Sequence, residues 1–214
     1  MIFMTQVLIV EDQQMPRQLF ESFIKNSKNY EIASSIRNAD LADIYCEKQQ
    51  VDLILMDVCT AMDANGLDAS ERIKKKYPHI KIIIVTSMPE FSFLDRAREI
   101  GVDSFWYKEV SEEPILDLMD RTMAGESIYP DRTPEIQFGN ILSSELKERE
   151  LEVLRELTGG YTNSEIADRL GLSPNTVRDY IKSMTEKTGF RTRTELAVIA
   201  RETGLVILNR RNNE

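Results

Sequence analysis

The chain has little of what metallo-hydrolases and secreted proteins are built from. One histidine, His79, and two cysteines, Cys46 and Cys59, are all it offers of the usual zinc and redox ligands. That excludes a disulfide framework and leaves a zinc site or a Ser-His-Asp triad without parts. Two thiols without a spacing pattern read as reduced cysteines of a cytoplasmic protein. No apolar run approaches the ~20 residues that a membrane helix needs. The opening residues, Met1-Ile2-Phe3-Met4-Thr5, lack the basic stretch and cleavage site of a secretory signal. Internal repeats and low-complexity tracts are missing too.

What is present suits two modest domains: 214 residues, 42% hydrophobic and 29% charged. The net charge is -9 but unevenly spread. Residues 1–122 hold 14 Lys/Arg and 21 Asp/Glu, whereas residues 169–211 hold nine Lys/Arg and four Asp/Glu, a local +5. An acidic chain with a basic C-terminal stretch fits a local polyanion-binding surface.

Four apolar, strand-like runs end on polar groups. Val7-Leu8-Ile9-Val10 ends on Glu11-Asp12, Leu53-Ile54-Leu55-Met56 on Asp57, Ile82-Ile83-Ile84-Val85 on Thr86-Ser87, and Phe105-Trp106-Tyr107 on Lys108. Open α/β sheets place their chemistry at the carboxyl ends of parallel strands. Parallel strands would gather three acids, a hydroxyl and an ammonium in one crevice, a set suited to a divalent metal and a phosphoryl group. Between the runs the periodicity predicts helices. One opens near Pro16 with Leu19, Phe20, Phe23 and Ile24 on a face, and another spans 39–49 with Leu41, Ile44 and Tyr45 inward. Others span 67–77, 91–100 and 113–123, the last with Ile115, Leu116 and Met119 at helical spacing. A weak strand at Ile32–Ser35 makes five strands, predicting a parallel sheet covered on both faces. Residues 124–140, with Gly125, Pro130, Pro134 and Gly139, read as an interdomain linker. Beyond it the pattern is all helix, with Asn163 as the cap of one helix and Ser173-Pro174 opening the next.

On Glu11-Asp12, Asp57, Gly66, Thr86, Phe105 and Lys108, residues 6–122 resemble the receiver domain of bacterial two-component response regulators. The resemblance implies an α/β doubly wound, five-stranded parallel sheet of strand order 2-1-3-4-5 over residues 1–123. It implies Asp57 as phosphoacceptor from a sensor histidine kinase. Mg²⁺ would be held by Glu11, Asp12, Asp57 and the backbone carbonyl of Cys59. Thr86 and Lys108 would stabilise the phosphate, and Phe105 would rotate inward as Thr86 moves. Two features depart from the pattern. The stretch from Asp57 to Gly66 lacks the usual Met-Pro pair and is one residue longer, and Glu109 stands where proline is frequent.

Residues 142–204 resemble the LuxR-type helix-turn-helix that ends NarL/FixJ-class regulators. The resemblance rests on Leu146, Arg149-Glu150, Val153-Leu154, Asn163, Glu165-Ile166-Ala167, Leu170, Leu172-Ser173, Thr176-Val177-Arg178, Lys187, Gly189, Arg193 and Glu195-Leu196-Ala197. It implies a small all-α DNA-binding domain over 141–214. The helix after Ser173 places Val177, Ile181, Met184 and Thr188 on an apolar stripe, and Asn175, Arg178, Asp179 and Lys182 on the other face. As the second helix of a helix-turn-helix, that polar face would enter the major groove. Arg178 would read guanine and Asp179 cytosine, while Lys182, Lys187 and Arg193 would contact phosphate. Ser173, Asn175 and Thr176 complete the expected DNA-facing set. A single such helix contacts too little DNA for tight specific binding, so a homodimer on two half-sites is expected. Leu196, Ile199 and Ala200 form either the dimer surface or core of their own domain. The expected function is a cytoplasmic, phosphorylation-regulated transcription factor, with a phosphorylation-independent DNA-binding regulator as the alternative. A dehalogenase-type hydrolase needs a second acid two residues after its nucleophile, and here that position is Cys59. A thiol sensor at Cys59 is the remaining rival.

Overall fold

The computed structural model describes residues 4–108, 111 and 114–207. The described residues fall into two compact units, 4–87 with 92–132, and 88–91 with 133–207.

In the first unit β1 (Thr5–Val10), β2 (Tyr30–Ile36) and β3 (Leu53–Met56) come first. A small hairpin follows, β4 (Cys59–Thr60) and β5 (Ala64–Asn65), and then β6 (Lys81–Thr86) and β7 (Ser104–Tyr107). The main sheet is five-stranded and parallel, in the order β2-β1-β3-β6-β7. This is the expected 2-1-3-4-5 arrangement, the hairpin only advancing the last two numbers. Apolar residues without alternation fill β3 and most of β1 and β6, because helices cover both faces; only the first residues, Thr5 and Gln6 of β1 and Lys81 of β6, are partly exposed. The helices are α1 (Gln14–Asn26), α2 (Ala42–Lys48), α3 (Gly66–Lys76), α4 (Phe93–Ile100) and α5 (Ile115–Met123). Val7, Ile9, Leu53, Leu55, Ile83 and Val85 pack on Phe20 and Ile24 of α1 and on Ile115, Leu118 and Met119 of α5. The register sets Val10 opposite Met56, so the next residues, Glu11 and Asp57, emerge level with each other.

Two expected inward faces are displaced. Leu41 and Ile44 are 45% and 44% exposed, and the buried positions around α2 are Ala39, Ala42 and Cys46. A 3-10 turn at Ala39–Leu41 precedes the helix, and small residues face inward there, which turns the larger ones out. Leu19 is likewise 51% exposed on α1.

The stretch read as a linker is folded at both ends. Ile128 pairs with the free edge of β7: the Phe105 amide donates to the Ile128 carbonyl at 2.8 Å, and the Ile128 amide donates to Ser104 Oγ at 3.2 Å. The Tyr129 hydroxyl donates to the Val102 carbonyl at 2.7 Å, and the Arg98 guanidinium lies 5.0 Å from its ring centre. Further on, β8 (Gln137–Phe138) and β9 (Ile141–Leu142) form a hairpin of the second unit, with Phe138 fully buried. Gly139, at φ 64°, turns that hairpin; a Cβ there would stand 2.2 Å from the Thr188 carbonyl. Glycine and proline mark turns here, while Ile128, Tyr129 and Phe138 supply the apolar surface that orders the chain around them.

The second unit continues with α6 (Glu148–Thr158), α7 (Asn163–Leu170), α8 (Pro174–Thr188) and α9 (Arg193–Glu202). Val153, Leu154, Leu157, Ile166, Val177, Met184, Leu196 and Ala200 form its core. Thr162, not Asn163, caps α7: its hydroxyl accepts from the Glu165 amide while Glu165 accepts from the Thr162 amide at 2.7 Å, a capping box. Gly171, at φ 64°, ends α7 and lets the chain turn into α8. Among the described residues no helix is long and apolar enough to cross a membrane.

Candidate functional site

Glu11, Asp12 and Asp57 meet at the carboxyl ends of β1 and β3, each offering a carboxylate oxygen, all within 4.8 Å of one another. Glu11 is fully buried and Asp57 is 3% exposed. Lys108, just after β7, reaches both: its Nζ lies 2.5 Å from Glu11 Oε2 and 3.2 Å from Asp57 Oδ2. Glu11 Oε1 accepts from the Gln13 amide at 2.9 Å, and Asp57 Oδ1 from the Val58 amide at 2.8 Å. Glu11 therefore has both oxygens engaged. Asp12 differs, since its Oδ1 is buried with no hydrogen-bond partner. Burial pushes the Asp57 carboxyl up to about 7; Lys108 pulls it down, and the Glu11 charge pushes it up again. One ammonium among three carboxylates leaves negative charge uncompensated, and an orphaned buried oxygen beside it fits a hard divalent cation.

The other expected residues lie on β4, β6 and β7 and at the start of α3. Thr86 is fully buried at the end of β6, and the Lys108 amide donates to its carbonyl at 3.0 Å. Phe105 is already inward. Its ring is 1% exposed, 4.9 Å from that of Tyr107 and 6.3 Å from that of Tyr129. Cys59 lies half-buried in β4, two residues past Asp57. Gly66 is required by contact, because a Cβ there would stand 2.0 Å from the Asp57 carbonyl oxygen.

In the second unit α8 carries the expected stripe: Val177, Ile181, Met184 and Thr188 are buried. Ser173 caps the helix by accepting from the Thr176 amide at 3.1 Å. Asn175, Arg178, Asp179 and Lys182 are exposed, with Thr176 partly so. The Arg178 guanidinium lies 3.7 Å from the Asp179 carboxylate, and Lys182 Nζ lies 3.7 Å from Glu186. Arg193 is exposed and donates to Asn163 Oδ1 at 3.0 Å and to the Tyr161 carbonyl at 2.8 Å.

Lys187 departs from the expected phosphate contact. Its Nζ lies 2.8 Å from both oxygens of Glu150, which is 2% exposed and also accepts from Ser183 Oγ at 3.0 Å. Burial alone would raise the Glu150 carboxyl; hydrogen bonds from the Lys147 amide, Lys187 and Ser183 outweigh it and hold it below the usual range. A phosphate would have to compete with that pair. Sequence reasoning missed it, although the signal was there: Glu150 lies on the stripe of Val153, Leu154 and Leu157, where a carboxylate needs a partner. Leu196 and Ala200 are fully buried in their own unit, so they are core residues and not a dimer surface.

Comparison with known proteins agrees with both halves. Residues 7–120 match the response regulator receiver domain, and residues 144–200 match the luxR family of bacterial regulatory proteins. The chain belongs to the response regulators. This response regulator is similar to the response regulator protein VraR of Staphylococcus aureus, with 30% identity over 209 residues covering 94% of this chain and 98% of that one. A solved structure of two RcsB dimers bound to two parallel DNAs shares its fold, with TM-score 0.61 and 17% identity, covering 93% of this chain and 98% of that one. A LuxR-family DNA-binding response regulator from Staphylococcus aureus overlays with TM-score 0.52 and 28% identity, covering 56% of this chain and 99% of that one. The protein is thus a two-component, DNA-binding transcription regulator, a class that is not enzymatic.

Proposed function

We propose that the protein accepts a phosphoryl group on Asp57 from a histidine kinase and binds operator DNA through α8 in response. A carboxylate oxygen of Asp57 attacks the phosphorus of a phosphohistidine. The P–O bond forms as the P–N bond breaks, and the electron pair leaves on the imidazole nitrogen, which takes a proton from solvent. Lys108 neutralises charge on the phosphoryl oxygens, and the Thr86 hydroxyl donates to one of them after transfer. Mg²⁺ would be held by Asp12, Asp57 and the Cys59 carbonyl, with Glu11 acting through Lys108 or water, and would supply the positive charge that three carboxylates and a phosphoryl group require. Exposed Asn175, Arg178, Asp179 and Lys182 face the DNA, flanked by Ser173, Thr176 and Arg193. Pairing of two copies on a two-half-site operator supplies affinity that one helix lacks. The cytoplasm is where such a chain meets both kinase and DNA.

The observation that carries this reading is the orphaned, buried Asp12 oxygen in a cluster of acids centred on Asp57 and faced by a single ammonium. The test is incubation of the full chain with a small phosphodonor and Mg²⁺, followed by mass-spectrometric mapping. Phosphate on Asp57, absent from Asp57→Ala, is expected. Phosphate elsewhere, or undiminished labelling of the variant, would refute the assignment. No labelling at all would favour the alternative, a regulator that binds DNA without a phosphoryl switch.

A further inference from the structure

The loop between Asp57 and α3 is pinned at both ends. The Asp57 amide donates to the Val10 carbonyl at 2.9 Å, and the Gly66 amide to the Val58 carbonyl at 2.8 Å. Between these points the chain makes the β4–β5 hairpin, pairing Cys59 with Asn65 and Thr60 with Ala64. Its tip holds two non-glycine residues in the left-handed region, Met62 at φ 64° and Asp63 at φ 57°. Met62 is 91% exposed, so its own packing does not impose that conformation. Such backbone strain persists only where the surroundings over-determine it.

Thr60 supplies one constraint. It is 5% exposed. Its hydroxyl accepts from the Ala39 amide at 3.0 Å and donates to the Ala64 carbonyl at 2.9 Å. One oxygen thus joins the two arms of the hairpin and moors them to the segment after β2. The Ala61 amide adds a second tie, to the Arg37 carbonyl at 3.0 Å. That segment is in turn fixed to the acidic cluster, because the Glu11 amide donates to the Ile36 carbonyl at 2.9 Å. A closed circuit results, running from Asp57 through Cys59 and Thr60 to Ala39, back along the end of β2 to Glu11, and across to Asp57 through Lys108.

We propose that Thr60 is a positioning residue for the chemistry at Asp57: its buried hydroxyl holds the lengthened loop so that the backbone at Cys59 stays registered beside the carboxylates. This rests on the reading of Asp57 as phosphoacceptor with a cation beside it. Thr60 touches none of the reacting atoms. It acts through the backbone of the residue before it, as outer partners of metal ligands do.

The test uses the full chain with Thr60→Val, which keeps shape and removes the hydroxyl, and Thr60→Ser, which restores it. Circular dichroism and thermal unfolding establish that each is folded. Mg²⁺ alone is titrated by calorimetry, and the initial rate of Asp57 phosphorylation is measured at a fixed, subsaturating Mg²⁺ concentration. Thr60→Val is expected to weaken Mg²⁺ binding by about 10-fold and to slow phosphorylation accordingly, with Thr60→Ser within about twofold of wild type. Should Val fail to fold, Thr60→Ala removes the hydroxyl without adding a methyl and carries the same expectation. A folded variant without the hydroxyl that binds Mg²⁺ and is phosphorylated as wild type would overturn the proposal, as would Thr60→Ser behaving like Thr60→Val. Failure of the underlying reading looks different: wild-type Asp57 itself takes up no phosphate, while the calorimetric comparison still reads Thr60.

Discussion

In the proposed phosphoryl transfer Asp57 is subject to opposed demands, since the reaction needs it ionised and its burial favours the proton. Its carboxyl moves from 3.8 to about 7 on folding, so the folded chain holds that proton more tightly than the unfolded chain. Through this group the metal-free protein loses stability as pH rises from about 4 to about 7. Asp57→Asn removes that dependence. With a chelator present, the variant should exceed wild type in thermal stability by a wider margin at pH 8 than at pH 5. An equal margin at both values would show that the Asp57 proton is not held this way. The cations of the second unit divide by their partners. Lys182→Ala should weaken binding to all DNA alike and flatten the log–log salt slope by ~0.9, whereas Arg178→Ala should cost ~1–3 kcal/mol on the preferred site and relax one base position. Lys187→Ala should instead cost about 1–2 kcal/mol of stability, the partly open lysine end screening the loss. Binding-site selection, salt titration and thermal unfolding separate the three. A Lys187→Ala change seen only in DNA binding would return that residue to the phosphate contacts.

At the scale of elements, periodicity and strand-end chemistry were legible where packing obeys a simple rule. The buried runs of β1, β3 and β6 need no partner information, because a strand covered on both faces is apolar throughout. The stripe of α8 was equally plain, since Ser173 and Pro174 fix where that helix starts and hence which face turns inward. Glu11, Asp12, Asp57 and Lys108 were legible because parallel strands bring their ends together. What stayed hidden depends on partners distant in sequence. The burial of Ala42 and Cys46, Thr60 meeting Ala39, and Lys187 meeting Glu150 are all settled by tertiary packing. In the stretch 124–140 glycines and prolines mark the turns, and the packing of Ile128, Tyr129 and Phe138 is not legible from local pattern. Phe138 lies fully buried against the second core, its ring edge-on to Phe190 at 5.2 Å. Phe138→Ala should therefore cost ~3–5 kcal/mol in the unfolding of that unit, measured by denaturant titration. A linker residue would change stability by less than about 0.5 kcal/mol.

At the scale of the whole molecule, an acidic unit with a cluster suited to a phosphoryl group is joined to a unit whose exposed helix face suits DNA. The chain is net negative while DNA is a polyanion, so binding is expected to rest on the local basic stretch and to weaken steeply with added salt. Phosphate on Asp57 is proposed to govern DNA binding. The most direct test is the affinity of the full chain for its selected site, with and without a small phosphodonor and Mg²⁺, at one fixed salt concentration, for wild type and Asp57→Ala. The account predicts that the donor tightens binding by wild type and leaves Asp57→Ala unchanged. An equal response of the two, or none in a wild type shown to carry phosphate on Asp57, would contradict it.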